Sequence, residues 1–194
     1  MSKKENISPP AGLHWIEEHA DALFKFAVVR VSDREIAKDL VQETFLSALQ
    51  HRETFRGESS ERTWLVSILK NKIIDYYRKK KSDKSVPLFN EEGRSELDSY
   101  FDHEGEWKSS AKPASWSGTG YHALRSKEFQ EILRRCLSKL SEHGKAVFIA
   151  KYIDELDSEE ICKDLEITAS NYWVIMHRAK LQIRQCVEKN WLKD

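Results

Sequence analysis

The stretch Ser32-Asp-Arg-Glu-Ile-Ala-Lys-Asp-Leu-Val-Gln-Glu-Thr-Phe-Leu-Ser-Ala-Leu49 decides how this chain is built. Ile36, Ala37, Leu40, Val41, Phe45, Ala48 and Leu49 recur at intervals of three and four, the repeat of one face of an α-helix. Ser32 and Glu35 have the spacing of a capping box, which starts a helix. Asp39, Gln42, Glu43 and Leu46 fall on the opposite face, again three or four residues apart. A mixed acidic and amide face of this kind suits a basic partner helix, and it equally suits plain solvation.

The same periodicity continues on both sides. From about Leu13 to Lys81 there is no proline, and the pattern is helical apart from a turn at Arg56-Gly-Glu-Ser-Ser60. The helix that follows, from about Arg62, carries Trp64, Leu65, Ile68, Leu69, Ile73, Tyr76 and Tyr77 and ends in the basic run Arg78-Lys-Lys-Lys81. Phe55 and Trp64 bracket a polar, glycine-containing loop, with Lys70, Asn71, Lys72 and Asp75 beyond it. Aromatics beside such a loop and a basic helix suit an unstacked base, the loop offering hydrogen bonds and the cations holding phosphates. The competing reading places Phe55, Trp64 and Tyr77 in the core, and for Trp64, inside the apolar stripe, core is the preferred reading.

Periodicity stops at Ser82 and resumes near Leu124. Ser, Gly, Pro and acidic residues dominate between them, with Trp107 and Trp116 as isolated apolar anchors and a short helix expected near Asn90–Tyr100. This segment reads as a linker. Beyond it three or four helices are expected. Phe129, Ile132, Leu133, Cys136, Leu137 and Leu140 form one stripe, and Ala146, Val147, Ile149 and Tyr152 begin another. Asp157 with Glu160 marks a helix start, with Leu156 and Ile161 placed as a hydrophobic staple. After Leu165, the turn Glu166-Ile-Thr168 leads into a long helix capped by Thr168. Tyr172, Met176, Ala179, Ile183 and Val187 form its packing face.

Two helices joined by so short a turn fit the helix-turn-helix plan, which purely structural bundles also use. In a DNA-binding version the start of the second helix enters the major groove. That start offers Ser170, Asn171, Val174 and Arg178, beside a stripe of Trp173, His177, Lys180 and Arg184.

The chain has 32 Lys and Arg against 32 Asp and Glu, so its net charge is zero. The distribution is uneven: net +3 over residues 1–81, −4 over 82–124 and +1 over 125–194. Two weakly basic modules joined by an acidic tether are the expectation. The expected division is a disordered tail over residues 1–12, modules over 13–81 and 125–194, and a flexible linker over 82–124. The expected fold class is all-α.

Cys136, Cys162 and Cys186 form no Cys-x-x-Cys pair and lie in apolar helical patterns. Together with an N-terminus that carries no apolar run, they read as reduced, buried cytosolic thiols. The 7 histidines show no metal-ligand spacing, so no metal and no cofactor are expected. No stretch reaches the roughly 20 apolar residues of a membrane span.

In their order these residues resemble the extracytoplasmic-function group of the sigma-70 family. Asp39-Leu-Val-Gln-Glu-Thr-Phe45, Phe55-Arg-Gly57, Thr63-Trp-Leu65, Ile68, Asn71, Asp75 and Arg78 are similar to its region 2. Leu140, Val147-Phe148, Glu160-Ile161, Leu165-Glu-Ile-Thr168 and His177-Arg-Ala-Lys-Leu181 are similar to its region 4. The resemblance implies a non-enzymatic, cytoplasmic subunit that binds core RNA polymerase and directs it to promoters, recognising −10 and −35 elements and assisting strand opening. It implies that Asp39, Gln42, Glu43 and Leu46 dock on the β′ clamp helices, with the β flap as a second polymerase contact. Phe55, Arg56, Arg62, Lys70, Asn71 and Arg78 would then meet the −10 element. Ser170, Asn171, Trp173, Val174, His177 and Arg178 would meet the −35 element.

This sequence departs from the family pattern at three places. Glu166 stands where Gly is usual, so the turn either avoids the left-handed region there or costs about 1 kcal/mol. Trp173 and Ile175 replace frequent cations, which makes readout more apolar, toward thymine methyls. The pattern around Asn171-Tyr-Trp-Val174, with Cys186 and Trp191, resembles a subgroup paired with zinc-binding anti-sigma proteins. A dimeric helix-turn-helix repressor, a nucleic-acid enzyme and a helical interaction protein remain as rivals. The enzyme would need clustered carboxylates or metal ligands, and none converge by spacing.

Overall fold

The structure, a computed structural model, describes residues 11–31, 33–83, 100–104, 106–114 and 126–191. The described elements are helices, in agreement with the all-α expectation: α1 (Ala11–Val31), α2 (Arg34–Gln50), a short 3-10 turn (Arg52–Thr54) and α3 (Glu61–Asp83), then α4 (Lys127–Leu137), α5 (Glu142–Tyr152), α6 (Ser158–Asp164) and α7 (Ala169–Trp191). Contacts divide the chain into two compact units, residues 1–76 and 77–194.

In the first unit α1 packs along α2. Ala37, Leu40, Val41, Phe45 and Ala48 are buried as their spacing predicts, while Leu49 is 40% exposed. The cap of α2 is Asp33, not Ser32: its carboxylate accepts from the backbone N–H groups of Glu35 (2.9 Å) and Ile36 (3.2 Å). A carboxylate at this position also sits favourably against the positive end of the helix dipole. Thr44, polar and fully buried, is satisfied within the helix by donating to the Leu40 carbonyl at 2.7 Å. Leu65, Leu69 and Ile73 form the buried stripe of α3.

In the second unit, Phe129, Ile132, Cys136, Leu137 and Leu140 close over Ala179, Ile183 and Val187 of α7. Ser126, Ser141 and Asp157 cap α4, α5 and α6 through their side-chain oxygens. Tyr152, read as part of a packing stripe, is 49% exposed at the end of α5. Lys145, by contrast, is buried on α5. Burial pushes its ammonium down to about 8, against an opposing pull from Glu142.

Two features differ from the sequence reading. Cys136 and Cys186 are joined by a disulfide between α4 and α7, leaving Cys162 as the free thiol. Fifty residues separate the pair, so spacing held no sign of it. Part of the stretch read as linker is also folded. Phe101 and Trp107 form an antiparallel bridge, with Asp102 N–H donating to the Glu106 carbonyl and Lys108 N–H to the Tyr100 carbonyl. Tyr100 and Ala111 bury against Leu181 of α7, so Trp107 belongs to a small core of its own. Of the disordered tail expected over residues 1–12, residues 1–10 lie outside the described residues and residues 11 and 12 begin α1. Of the helix expected over Asn90–Tyr100 all but Tyr100, and Trp116 as well, lie outside them.

Candidate functional site

Asp39, Gln42, Glu43 and Leu46 are all exposed on α2, because Leu40, Val41, Thr44 and Phe45 turn the other face inward. Leu46 is 60% exposed, and with the exposed Leu49 and Ile16 it forms an apolar patch on this surface. Gln42 and Leu46 border a groove of about 580 Å³ between α1 and α2, floored by Val41 and Phe45 and walled by Ile16 and Phe24. Glu43 points elsewhere, with Lys72 of α3 at 3.9 Å. The sequence-expected face thus meets an apolar groove on one side and a charged rim on the other. Ile16 and Phe24 were not foreseen; an amphipathic reading of α1 paired with α2 is the signal that finds them.

The loop after α2 is built on aromatics. Phe55 lies 5.1 Å from Trp64 between ring centroids, and Trp64 meets Trp15 edge-on at 5.5 Å. Trp64 is therefore half-buried between two rings, and Phe55 is half-buried too. Gly57 has φ +73°, a left-handed turn that only glycine adopts without strain. Ser60 then starts α3, accepting from the Thr63 N–H at 3.1 Å. Arg56 and Arg62, both exposed, flank this loop; Asn71 is exposed further along α3 and Lys70 is half-buried there. Arg78 is engaged otherwise: in the second unit its Nε donates to the Asp164 carbonyl at 2.6 Å.

At the foot of this loop the ligand atoms of His14, Glu18 and Glu61 lie within 4.8 Å of one another. His14 and Glu18 pair at 3.4 Å one helical turn apart on the surface of α1. A hydrogen bond from Trp15, aided by the nearby His19 and His14, holds the Glu61 carboxyl below its usual range against the opposing effect of burial. The sequence did not predict this grouping, since Glu61 is distant in the chain.

The third surface is the start of α7. The C-terminus of α6 closes in a Schellman motif: Glu166 N–H donates to the Lys163 carbonyl and Ile167 N–H to the Cys162 carbonyl. Glu166 is left-handed there, φ +53°. Thr168 caps α7 by accepting from the Asn171 N–H at 3.2 Å. Tyr172 is buried beneath, which raises its phenol above the ordinary range, with Tyr152 adding to the shift. Ser170, Asn171, Trp173 and His177 are exposed, and Val174 and Arg178 half-buried. Trp173 is 62% exposed and touches Tyr172 edge-on at 5.2 Å, a large apolar ring turned outward at the helix start. Arg184 does not continue this surface. Its guanidinium stacks on Trp107 at 4.3 Å and donates to the Ala111 carbonyl at 2.7 Å.

Comparison with known proteins agrees with this layout. Sigma-70 region 2 matches residues 15–82 and Sigma-70 region 4 matches residues 130–183. A probable RNA polymerase sigma factor of Haemophilus influenzae is 37% identical over 167 residues, covering 86% of this chain and 84% of the relative. The RNA polymerase sigma factor YlaC of Bacillus subtilis is 28% identical, covering 89% and 90%. The ECF RNA polymerase sigma factor SigX of Bacillus subtilis is 27% identical, covering 88% and 79%. Among solved structures, the sigma factor RpoE of Bartonella quintana, in complex with the anti-sigma factor NepR, aligns at TM-score 0.44 with 19% identity over 91% of this chain and 96% of its own. With both regions present in order and relatives matched along most of their length, this chain belongs to the sigma-70 family of RNA polymerase sigma factors, in its extracytoplasmic-function group.

Proposed function

We propose that this sigma factor engages polymerase first through the outward face of α2, and that residues 13–81, 82–124 and 125–194 divide the work as −10 module, acidic linker and −35 module. Asp39, Gln42, Glu43 and Leu46 are the residues assigned to the β′ clamp helices, with the β flap taking the second module. The observation that carries this is the exposed Leu46 beside Gln42 on an apolar groove, with Asp39 and Glu43 exposed on the same helix. A basic amphipathic partner helix would bury the first and pair with the second.

Phe55, Arg56, Arg62, Lys70, Asn71 and Arg78 are assigned to the −10 element. Phe55, half-buried beside Trp64, is the stacking platform, and the arginines beside it hold the phosphates. For Arg78 this requires release from the Asp164 carbonyl. Ser170, Asn171, Trp173, Val174, His177 and Arg178 are assigned to the −35 element. The chain works by binding, in the cytoplasm, and an anti-sigma factor of the zinc-binding kind is its proposed inhibitor. No helix among the described residues is long and apolar enough to cross a membrane.

Binding to a β′ clamp-helix fragment tests the central assignment. Leu46→Asp and Gln42→Ala are expected to weaken it at least tenfold, about 1.4 kcal/mol or more, with helicity by circular dichroism unchanged. Wild-type failure to bind, or full binding by Leu46→Asp, would sink the assignment.

A further inference from the structure

The disulfide between Cys136 and Cys186 is not sealed in the core. Cys136 is 1% exposed, whereas Cys186 is half-buried and both line a cavity of about 300 Å³. Lys139, Lys189, Gln182, Gln185 and Asn190 form most of its wall, with Leu140 among them. The Asn190 amide donates to Cys186 Sγ at 3.8 Å and to the Cys186 carbonyl at 2.6 Å, and its oxygen accepts from Arg135 at 3.5 Å. The Asn190 donor at one sulfur, the two lysines lining the cavity and Arg135 behind Asn190 favour a thiolate at that sulfur, the reactive species in thiol exchange. A bond whose only task was to brace α4 against α7 needs neither the cavity nor this polar lining.

We propose that Cys136–Cys186 is a reversible thiol–disulfide site that exchanges with an anionic low-molecular-weight thiol, of the glutathione class, admitted through the lysine-flanked cavity. In reduction, the small thiolate attacks Cys186 Sγ, the accessible sulfur; the Cys136–Cys186 bond breaks and Cys136 leaves as thiolate and takes a proton. A second small thiol then attacks the mixed disulfide, releasing Cys186 and the low-molecular-weight disulfide. Oxidation is the reverse: the two protein thiols surrender two electrons and two protons, and one small disulfide becomes two thiols. The site lies at the far end of α7 from Ser170–Arg178, so its redox state alters the bracing of the helix that presents that surface.

The test equilibrates the full chain with reduced and oxidised glutathione at set ratios, quenches in acid and counts alkylatable thiols by mass. Three free thiols are expected at reducing ratios and one, Cys162, at oxidising ratios, with native circular dichroism throughout. Cys186→Ser should hold two free thiols at both ends of the range. The double variant Lys139→Glu/Lys189→Glu should slow oxidation by glutathione disulfide about five-fold or more, by charge repulsion. The neutral hydroxyethyl disulfide should react within about two-fold of wild type. Three free thiols at every ratio, a bond reducible only after denaturation, or equal slowing with both reagents would each overturn the proposal.

Discussion

Two residues sit in the left-handed region for different reasons. Gly57 occupies it at no cost, with nothing within 4 Å of where a Cβ would stand. Gly57→Ala is therefore expected to cost about 1 kcal/mol through backbone strain rather than through a clash, measured by urea unfolding. Glu166 occupies the same region as the C′ residue of a Schellman motif. Glu166→Gly should stabilise by roughly 0.5–1 kcal/mol, because its ion pair with Arg78 at 3.7 Å is a largely exposed contact of little worth. A loss of stability in that variant would mean the Arg78 contact outweighs the strain. Lys145 carries a clearer pH signature. Its folded ammonium gives up its proton near 8 while the unfolded one keeps it to about 10.5. Between these values the unfolded chain binds more protons, so stability rises with pH; below 8 the penalty is fully present, about 3 kcal/mol at most. Lys145→Met should raise the melting temperature at pH 7, and the gain should shrink toward pH 10.

At the scale of elements, α7 has three different neighbours along its length. Its first turn depends on Thr168, and Thr168→Ala should cost about 1 kcal/mol while loosening the segment that carries Asn171 and Trp173. Its middle is covered by the folded piece of residues 100–114. Trp107→Ala should release Arg184, detectable as faster backbone amide exchange over Tyr100–Ala111 with α7 itself still protected. Its last turns are tied to α4 by the disulfide. Closing a loop of 50 residues constrains the unfolded chain by about 4 kcal/mol. Reduction should accordingly lower the thermal midpoint, as read by calorimetry with and without a reductant. At the other end of the chain, α2 needs only its own sequence to be amphipathic, but its groove exists because α1 lies alongside.

For the molecule as a whole, zero net charge is the property that separates it from a free-standing DNA-binding protein. Duplex affinity comes largely from neutralising phosphates, with a salt slope proportional to the number neutralised. A chain whose cations are matched one for one by carboxylates, and whose Arg78 and Arg184 are held by carbonyls, has few to spare. The free protein should therefore bind promoter duplex weakly and with a shallow salt slope, and the polymerase-bound form with a steep one, as read by fluorescence anisotropy across a salt series. A steep slope for the free chain would restore the repressor reading.

What the sequence determined by itself is local. Helix periodicity, the caps at Asp157 and Thr168, the glycine turn at Gly57 and the outward placing of Asp39, Gln42, Glu43 and Leu46 all follow from residues within a turn or two of each other. The hydrogen bonds and face assignments involved close over three or four positions, so the chain order contains them. Even there the resolution was one residue, since Asp33 rather than Ser32 caps α2. The tertiary structure decided everything that joins distant segments. It made a groove from α1 and α2, turned Trp64 from core residue into the middle of a three-ring cluster, folded Trp107 onto Arg184 and paired Cys136 with Cys186. Each of these depends on which helix faces which, a matter of packing area and shape that no local spacing encodes.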